Sequence, residues 1–500
     1  MNIRKACIWR VWFQAINLAF IFNIFLSPQH SHAANLQTQD VFFFSTHKRP
    51  MQIVGDSKNA FILTEGGVLL YDYRRSAWVD NLAPGLTVNA IRYSPSRSRF
   101  FLQLQGGRIL EYNTTFRRLN DAPQSDFDIA SDEGAAADLN GVTLEGNDLF
   151  MGDMIRDRYM RRIPITLSKV FEYDNLWILT HGAGLYYGSL RRKQAAPFWF
   201  GLADKNAQVV YPEGGNIWYG SCKTNLAATS GIESQSNGAL VKSKSDLSTW
   251  KVYLAQLESG FNEGCIHDIL AWKDFIWLAT EKGVIRHDPR SGQFISYSHL
   301  LGGNFVRVNS LHVHDGALYA ATQEGVAYLS DPQGEFQSMG SLIQGGIVVN
   351  ELISKDKDLW AATRYGLFVH QVDGWKDLKT VSGKDVPEAM GINVPSVAYH
   401  DSSLYWISGN KVMIKPKKQL PKVMLERDQP FRIRFEGDMM FLGYYSGVLV
   451  YDLNRKLWTD FTLKDGIPGT RVQTFALDGG KLWIGTDEGV ERLNYKPYLP

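Results

Sequence analysis

The stretch "KLWIGTDEGVERLN" at residues 481–494 has near copies beginning at Phe275 ("FIWLATEKGVIRHD"), Ala317 ("ALYAATQEGVAYLS") and Asp358 ("DLWAATRYGLFVHQ"), all with the same internal spacing. A chain built this way grows by adding units. It does not enlarge one core, which 500 residues would overfill. Aligning on the aromatic or apolar residue before the small pair gives Phe61, Phe101, Trp177, Trp218, Trp277, Tyr319, Trp360, Tyr405, Phe441 and Trp483. Most separations fall between 36 and 45 residues; Phe101 to Trp177 is 76 and Trp218 to Trp277 is 59. "NDLFMGD" around Phe150 is a degenerate copy that fits the wider gap.

A second column, Trp78, Phe116, Phe294, Phe336, Trp375 and Trp458, follows the first by 15 to 17 residues. A third precedes it: Val88-Asn89-Ala90-Ile91, Val308-Asn309-Ser310-Leu311 and Val349-Asn350-Glu351-Leu352. Each unit therefore parses into four short strands separated by turn residues. In the last one, "RVQTFALD", "KLWIGT" and "VERLN" are the first three strands, and Gly479-Gly480 is the first hairpin. With 45 glycines, 14 tryptophans and 22 tyrosines, and with helical periodicity absent, the expectation is an all-β propeller of about ten four-stranded blades, as one large ring or two smaller ones. The last unit lacks a fourth strand, and "DVFFFSTHKR" near the other end has the character of one, so the two termini are expected to complete one blade and close the ring. Propeller repeats are expected over 40–500, with 120–165 as a degenerate blade or embellishment and 221–238 as a loop insertion.

The first 33 residues carry Arg4, Lys5 and Arg10, an apolar run from Val11 to Leu26, and Ser31-His32-Ala33. That order reads as a secretory signal cut after Ala33, leaving no later membrane span. The expected location is the periplasm or the extracellular space. Charge is nearly balanced, with 53 Lys and Arg against 51 Asp and Glu, so nucleic acid is not an indicated partner.

At "FTLKDGIPGTRVQTFALDGGKLWIGTDEGVERLN" the chain resembles the two-component-regulator propeller repeat. Asp465-Gly466-Ile467-Pro468, Leu482-Trp483-Ile484-Gly485-Thr486 and Gly489-Val490 match its pattern, as do Tyr71-Asp72 and Tyr451-Asp452. The resemblance covers about residues 50–495. It implies a periplasmic sensor-type propeller that binds glycan fragments or a partner surface. These 500 residues contain no kinase or DNA-binding segment, so the expectation is a non-enzymatic sensor-like or scaffold role, binding a glycan, a peptide or an envelope protein. A polysaccharide hydrolase or lyase and an envelope assembly factor are the alternatives.

Cys222 and Cys265 fall on one face of adjacent blades and either pair as a disulfide or stay as separate buried thiols. The same face is expected to carry the binding residues His181, Glu281, Arg307, Glu324, Arg364, Tyr365, Tyr444, Tyr445, Arg471 and Asp487. Carboxylates, arginines and tyrosines together suit a sugar or a peptide, although turn residues of this kind are also commonly just solvated. Glu281, Glu324 and Asp487 sit at a turn position, which argues against an acid/base pair. His312-x-His314 lacks a third ligand at suitable spacing, so no metal is expected. No cofactor and no catalytic residue are assigned.

Overall fold

Two-residue hairpins set the local geometry throughout. Lys273 and Asp274 (φ 48° and 68°), Asp315 and Gly316 (46° and 75°), and Asp401 and Ser402 (43° and 65°) each place two consecutive residues in the left-handed region. That is the turn whose twist matches antiparallel strands. The computed structural model describes residues 31–33 and 41–499, apart from short internal stretches of which 223–237 and 379–391 are the longest. Most of the expected signal, and the insertion between Cys222 and Gly238, lie outside the described residues.

Ten sheets follow one another along the chain, at 52–82, 88–122, 162–198, 207–254, 266–297, 308–338, 349–377, 397–426, 432–462 and 472–494. They are called here the first to the tenth. The first nine each run as an antiparallel meander from an opening strand outward. In the tenth, Val472–Asp478, Lys481–Thr486 and Val490–Asn494 supply three strands, and Val41–Phe44 pairs antiparallel with Val490 to Leu493 as the outer one. Two sheets gain a further, parallel outer strand: Thr143–Leu144 lies on Gln194–Phe198, and Ser31–Ala33 lies on Leu457–Thr462.

The recurring small-Thr pair before a glycine has a bonding reason as well as a packing one. The hydroxyls of Thr64, Thr280, Thr322 and Thr363 donate to the carbonyls of Gly67, Gly283, Gly325 and Gly366, at 2.7 to 3.0 Å. Each bond closes the turn from second to third strand around a buried side chain. Gly283 has φ 118°, and a Cβ there would stand 2.1 Å from the Tyr297 carbonyl oxygen. Gly485 marks the crowding expected of the inner strands, because a Cβ would meet Thr474 at 2.5 Å and Ala207 of the fourth sheet at 3.0 Å.

Trp177, Trp218, Trp277 and Trp483 are fully buried between sheets. In the second column Trp78, Phe294, Phe336 and Trp458 are also buried, but Phe116 is 72% exposed. Its backbone N–H donates to Asn113 Oδ1 (3.1 Å), so it sits in an Asx turn before the outer strand and not within it.

The opening strands of sheets four to eight lie each against the next, and Val397–His400 lies against Arg432–Glu436. The second strand of the ninth sheet, Met439–Tyr444, lies against Val472–Asp478, which lies in turn against Ala207–Glu213 of the fourth. Sheets one to three are arranged differently: the opening strand of the first packs on those of both the second and the third. The span 120–165 covers their flanks. Helix α1 (Gln124–Ile129) buries Phe127 against Phe101 and Ile109 of the second sheet. Val142 and Ile155 pack on Leu176, Ile178 and Tyr186 of the third. These coverings bury part of the apolar surface that an open stack of sheets presents at its ends.

Candidate functional site

An opening strand is a sheet edge, and its outward N–H groups need partners from outside its own sheet. Seven opening strands carry a β-bulge at one shared place, and the extra residues are Asn89, Thr166, Gln208, His267, Asn309, Asn350 and Gln473. Several of these reach the next sheet. Asn309 Nδ2 donates to the Val349 carbonyl (2.8 Å), Asn350 Nδ2 donates to the Val394 carbonyl (2.9 Å), and Gln473 Nε2 donates to Asn206 Oδ1. The "V-N" column of the sequence is therefore a row of inter-sheet fasteners.

In the fifth and seventh sheets the residue after the bulge, Asp268 or Glu351, accepts edge N–H groups of the next sheet. Asp268 Oδ2 accepts Leu311 N–H of the sixth sheet (2.9 Å), and Asp268 Oδ1 accepts Ile269 N–H (3.0 Å). Glu351 Oε2 accepts the Val397 N–H (3.0 Å) and the Ser396 hydroxyl (2.6 Å). Ser396 Oγ in turn accepts Ile433 N–H of the ninth sheet (3.1 Å). Arg434 Nη2 completes the group, ion-paired with Glu351 Oε1 at 2.6 Å across 83 positions of sequence.

These charges are enclosed yet not dry: the Arg434 side chain keeps 40% of its surface accessible, while Glu351 keeps 6%. Burial acts to raise the Glu351 carboxyl, but the Arg434 and Arg432 charges and the bonds from Arg434 and Ser396 outweigh it and hold it below its ordinary value. Burial raises Asp268, against the pull of Arg432. Burial, with the neighbouring His314, pushes His312 down to about 4, and its Nε2 lies 2.9 Å from Ser354 Oγ. Sequence reasoning passed over Asp268, Glu351, Arg432 and Arg434; a charge one place after "I-H" or "V-N" was the available signal for the two acids, and the two arginines carry no such mark.

Of the residues expected at the face, Glu281 and Arg307 meet, at 3.3 Å, and His267 Nε2 joins Glu281 Oε1 at 2.9 Å. Burial and then Arg307 lower His267, against the opposing pull of Glu281, which favours the neutral ring. Arg307 Nε also donates to Asn309 Oδ1 (3.0 Å), tying this cluster to the bulge row. Cys222 and Cys265 are joined as a disulfide beside it. The Cys265 sulfur, His267 and Glu281 lie close enough to share a metal ion, but the disulfide occupies the sulfur and leaves two ligands.

Asp487 accepts the Thr470 N–H (2.8 Å) and hydroxyl and the Arg471 N–H (3.3 Å). Burial works to raise its carboxyl, but those bonds hold it below the usual range. Tyr365 is exposed, with its N–H on Thr363 Oγ1 (3.1 Å), and Arg364 N–H bonds the Val348 carbonyl (3.0 Å). Glu324 N–H bonds Thr322 Oγ1 (3.0 Å), and Tyr445 is partly exposed. Tyr444, by contrast, is buried and donates its hydroxyl to Asp460 Oδ1 (3.1 Å). His181 stands on the third sheet, its N–H on the Pro164 carbonyl (3.0 Å), outside the run of sheets that carries the others. Among the described residues no helix is long and apolar enough to cross a membrane.

No family model matches the chain, and no curated protein matches it. Solved structures do. One is the extracellular domain of a protein described as a hybrid two component system, BT3049 of B. thetaiotaomicron (14% identity, TM-score 0.47, 90% of this chain and 62% of that one). Another is PorZ, a bacterial surface component of the type-IX secretion system of Porphyromonas gingivalis (13%, TM-score 0.49, 89% and 74%). The WD40 β-propeller domain of Doa1 is a third (10%, TM-score 0.43, 59% and 96%). The chain thus spans less than two thirds of the BT3049 domain.

Proposed function

We propose that this chain is an exported, non-enzymatic β-propeller that presents one loop-rich face to a glycan, a peptide or another envelope protein. In this reading sheets four to ten form a closed ring of seven blades, sealed by Val41–Phe44 and by the Gln473 to Asn206 bond, and the first three sheets are an appended unit. The leader of residues 1–33 directs export. The observation that carries the binding role is the fate of the inner acids: Asp268 and Glu351 hold backbone N–H groups of the next sheet, so they build a rigid scaffold and are not free as acid and base. Function is left to the loop-bearing face, where Glu281 and Arg307 meet the bulge residue His267 and Tyr365 stands exposed.

The test is capture from envelope extract and from immobilised glycans with the mature protein, alongside an Arg307→Ala/Tyr365→Ala double variant. A ligand held by the wild type and lost by that variant supports the reading. Equal capture by both, or glycan hydrolysis by the wild type, overturns it.

An assembly role is favoured by a different observation. Phe116, Ile129, Leu149, Met160 and Tyr173 are all strongly exposed on the three-sheet unit and its coverings. Under that reading Phe116→Ser/Ile129→Ser abolishes capture and the turn variant does not.

A further inference from the structure

We propose that Cys222, Cys265, His267 and Glu281 form a zinc site when the disulfide is reduced, so that a metal ion takes over the link between the fourth and fifth sheets. The four residues come from three places in the fold. Cys222 follows the second strand of the fourth sheet, Asn216–Ser221. Cys265 and His267 flank Ile266 at the start of the fifth, and Glu281 follows Thr280 at the end of that sheet's second strand. The Cys265 sulfur, a His267 ring nitrogen and a Glu281 carboxylate oxygen all lie within 4.8 Å of one another, and His267 Nε2 stands 2.9 Å from Glu281 Oε1. The Cys222 sulfur is bonded to that of Cys265 and belongs to the same group. The ligand atoms of a tetrahedral zinc ion stand about 3.3–3.8 Å apart, given bonds of about 2.0–2.3 Å, so the group is close to that spacing before any ion binds.

Two thiolates, an imidazole and a carboxylate suit zinc in a closed four-ligand site, and the soft sulfurs disfavour the hard cations. The ligands bring three negative charges against the two positive charges of the ion. Arg307 supplies the balance from outside the group, with Nη1 3.3 Å from Glu281 Oε1 and Nε donating to Asn309 Oδ1 at 3.0 Å. His267 is also the one imidazole in the row of bulge residues. Where Asn309, Asn350 and Gln473 reach the next sheet, it turns to Glu281 of its own sheet. The Glu281 side chain keeps 39% of its surface accessible, so the group opens to solvent. In the oxidised chain the disulfide occupies both sulfurs. A dithiol reductant passes two electrons and two protons to them and leaves as its own disulfide; zinc then displaces the two thiol protons to solvent. This role is independent of what the loop-bearing face binds.

To test this, the mature protein is reduced with dithiothreitol, freed of it anaerobically, and titrated with Zn2+ against a chromophoric chelator and with Co2+ as an optical probe. The reduced wild type is expected to take one equivalent of either ion, with the intense absorption of thiolate-bound cobalt, and the oxidised protein to take none in competition. His267→Gln, which carries an amide as most of the bulge row does, and Glu281→Gln are each expected to weaken zinc at least about tenfold, since losing a ligand costs no less than losing an outer-shell partner. His299→Ala, at an exposed histidine outside the group, leaves the affinity unchanged. If reduction unfolds the wild type, the reduced chain is refolded with and without Zn2+: native near-ultraviolet circular dichroism regained only with zinc supports the site, and equal recovery overturns it. Lack of stoichiometric binding by the folded reduced protein, cobalt bound without the thiolate absorption, equal binding by the oxidised protein, or unchanged affinity in either Gln variant also overturns the proposal.

Discussion

Gln208 of the fourth sheet donates its side-chain amide to the side-chain oxygen of Gln473 in the tenth, 265 positions later. Lys205 and Glu488 pair nearby at 2.8 Å. Ala207 backs the same contact, at the Gly485 backbone. Units far apart in sequence thus meet through the same bulge position that fastens Asn309 to the seventh sheet and Asn350 to the eighth.

This junction depends on Phe44, which is fully buried and packs against Tyr219, Trp250 and Trp483 at ring-centroid distances of 5.5, 5.0 and 6.4 Å. Phe44→Ala is expected to cost about 3–5 kcal/mol, as aromatic truncations in tight cores do. Urea unfolding measures the loss, and limited proteolysis is expected to cut first near residues 41–50.

Glu491 makes stability fall with pH. Its backbone pairs with Phe43 and Ile484, its side chain is buried, and its Oε1 has no hydrogen-bond partner among the described residues. Burial, reinforced by Asp465, raises the carboxyl to about 8. The unfolded chain ionises this group near its ordinary value, and the folded chain only near 8. Between those values the folded state holds the extra proton, and stability declines as pH rises. Glu491→Gln should flatten that decline and stabilise the protein at pH 7.5 with little effect at pH 4, as followed by denaturant midpoints across pH.

Glu351 has the opposite sign. Its folded value is depressed, so the stability it contributes is present above its unfolded value and is lost as acid titrates it. Glu351→Ala strands the Val397 N–H and the Arg434 charge, and should cost about 3 kcal/mol at pH 7. The gap between variant and wild type should narrow as the pH is lowered.

Thr280, Thr322 and Thr363 are buried and each donates to a glycine carbonyl. Replacement by valine keeps the shape and removes both that bond and the one each Oγ1 accepts from the N–H of Lys282, Glu324 or Tyr365, so each change should cost about 1–3 kcal/mol. If the three cost nothing, the turn is held by glycine conformation alone.

The disulfide closes a loop with a sequence separation of 43. Reduction, or Cys222→Ser/Cys265→Ser, is expected to lower stability by about 2–4 kcal/mol through the freer unfolded chain. Melting with and without dithiothreitol reads this directly.

Strands, hairpins, and the Thr-to-Gly turns are written locally, within about six residues, so each repeat in the sequence carries them: "KLWIGTDEG" encodes its own hairpin and turn wherever it stands. The Cys222 to Cys265 proximity followed from the same register. Which sheet lies beside which did not, because repeated units carry the same local instructions, and nothing in Val472–Asp478 names Ala207–Glu213 as its neighbour. Only the assembled edges decide that, when amides and carboxylates of one sheet find unpaired N–H and C=O groups of another. The charged wall has the same origin. Glu351 and Arg434 read separately as solvated strand residues, and their pairing exists only once the seventh and ninth sheets approach one space, where leaving either charge alone would be costly.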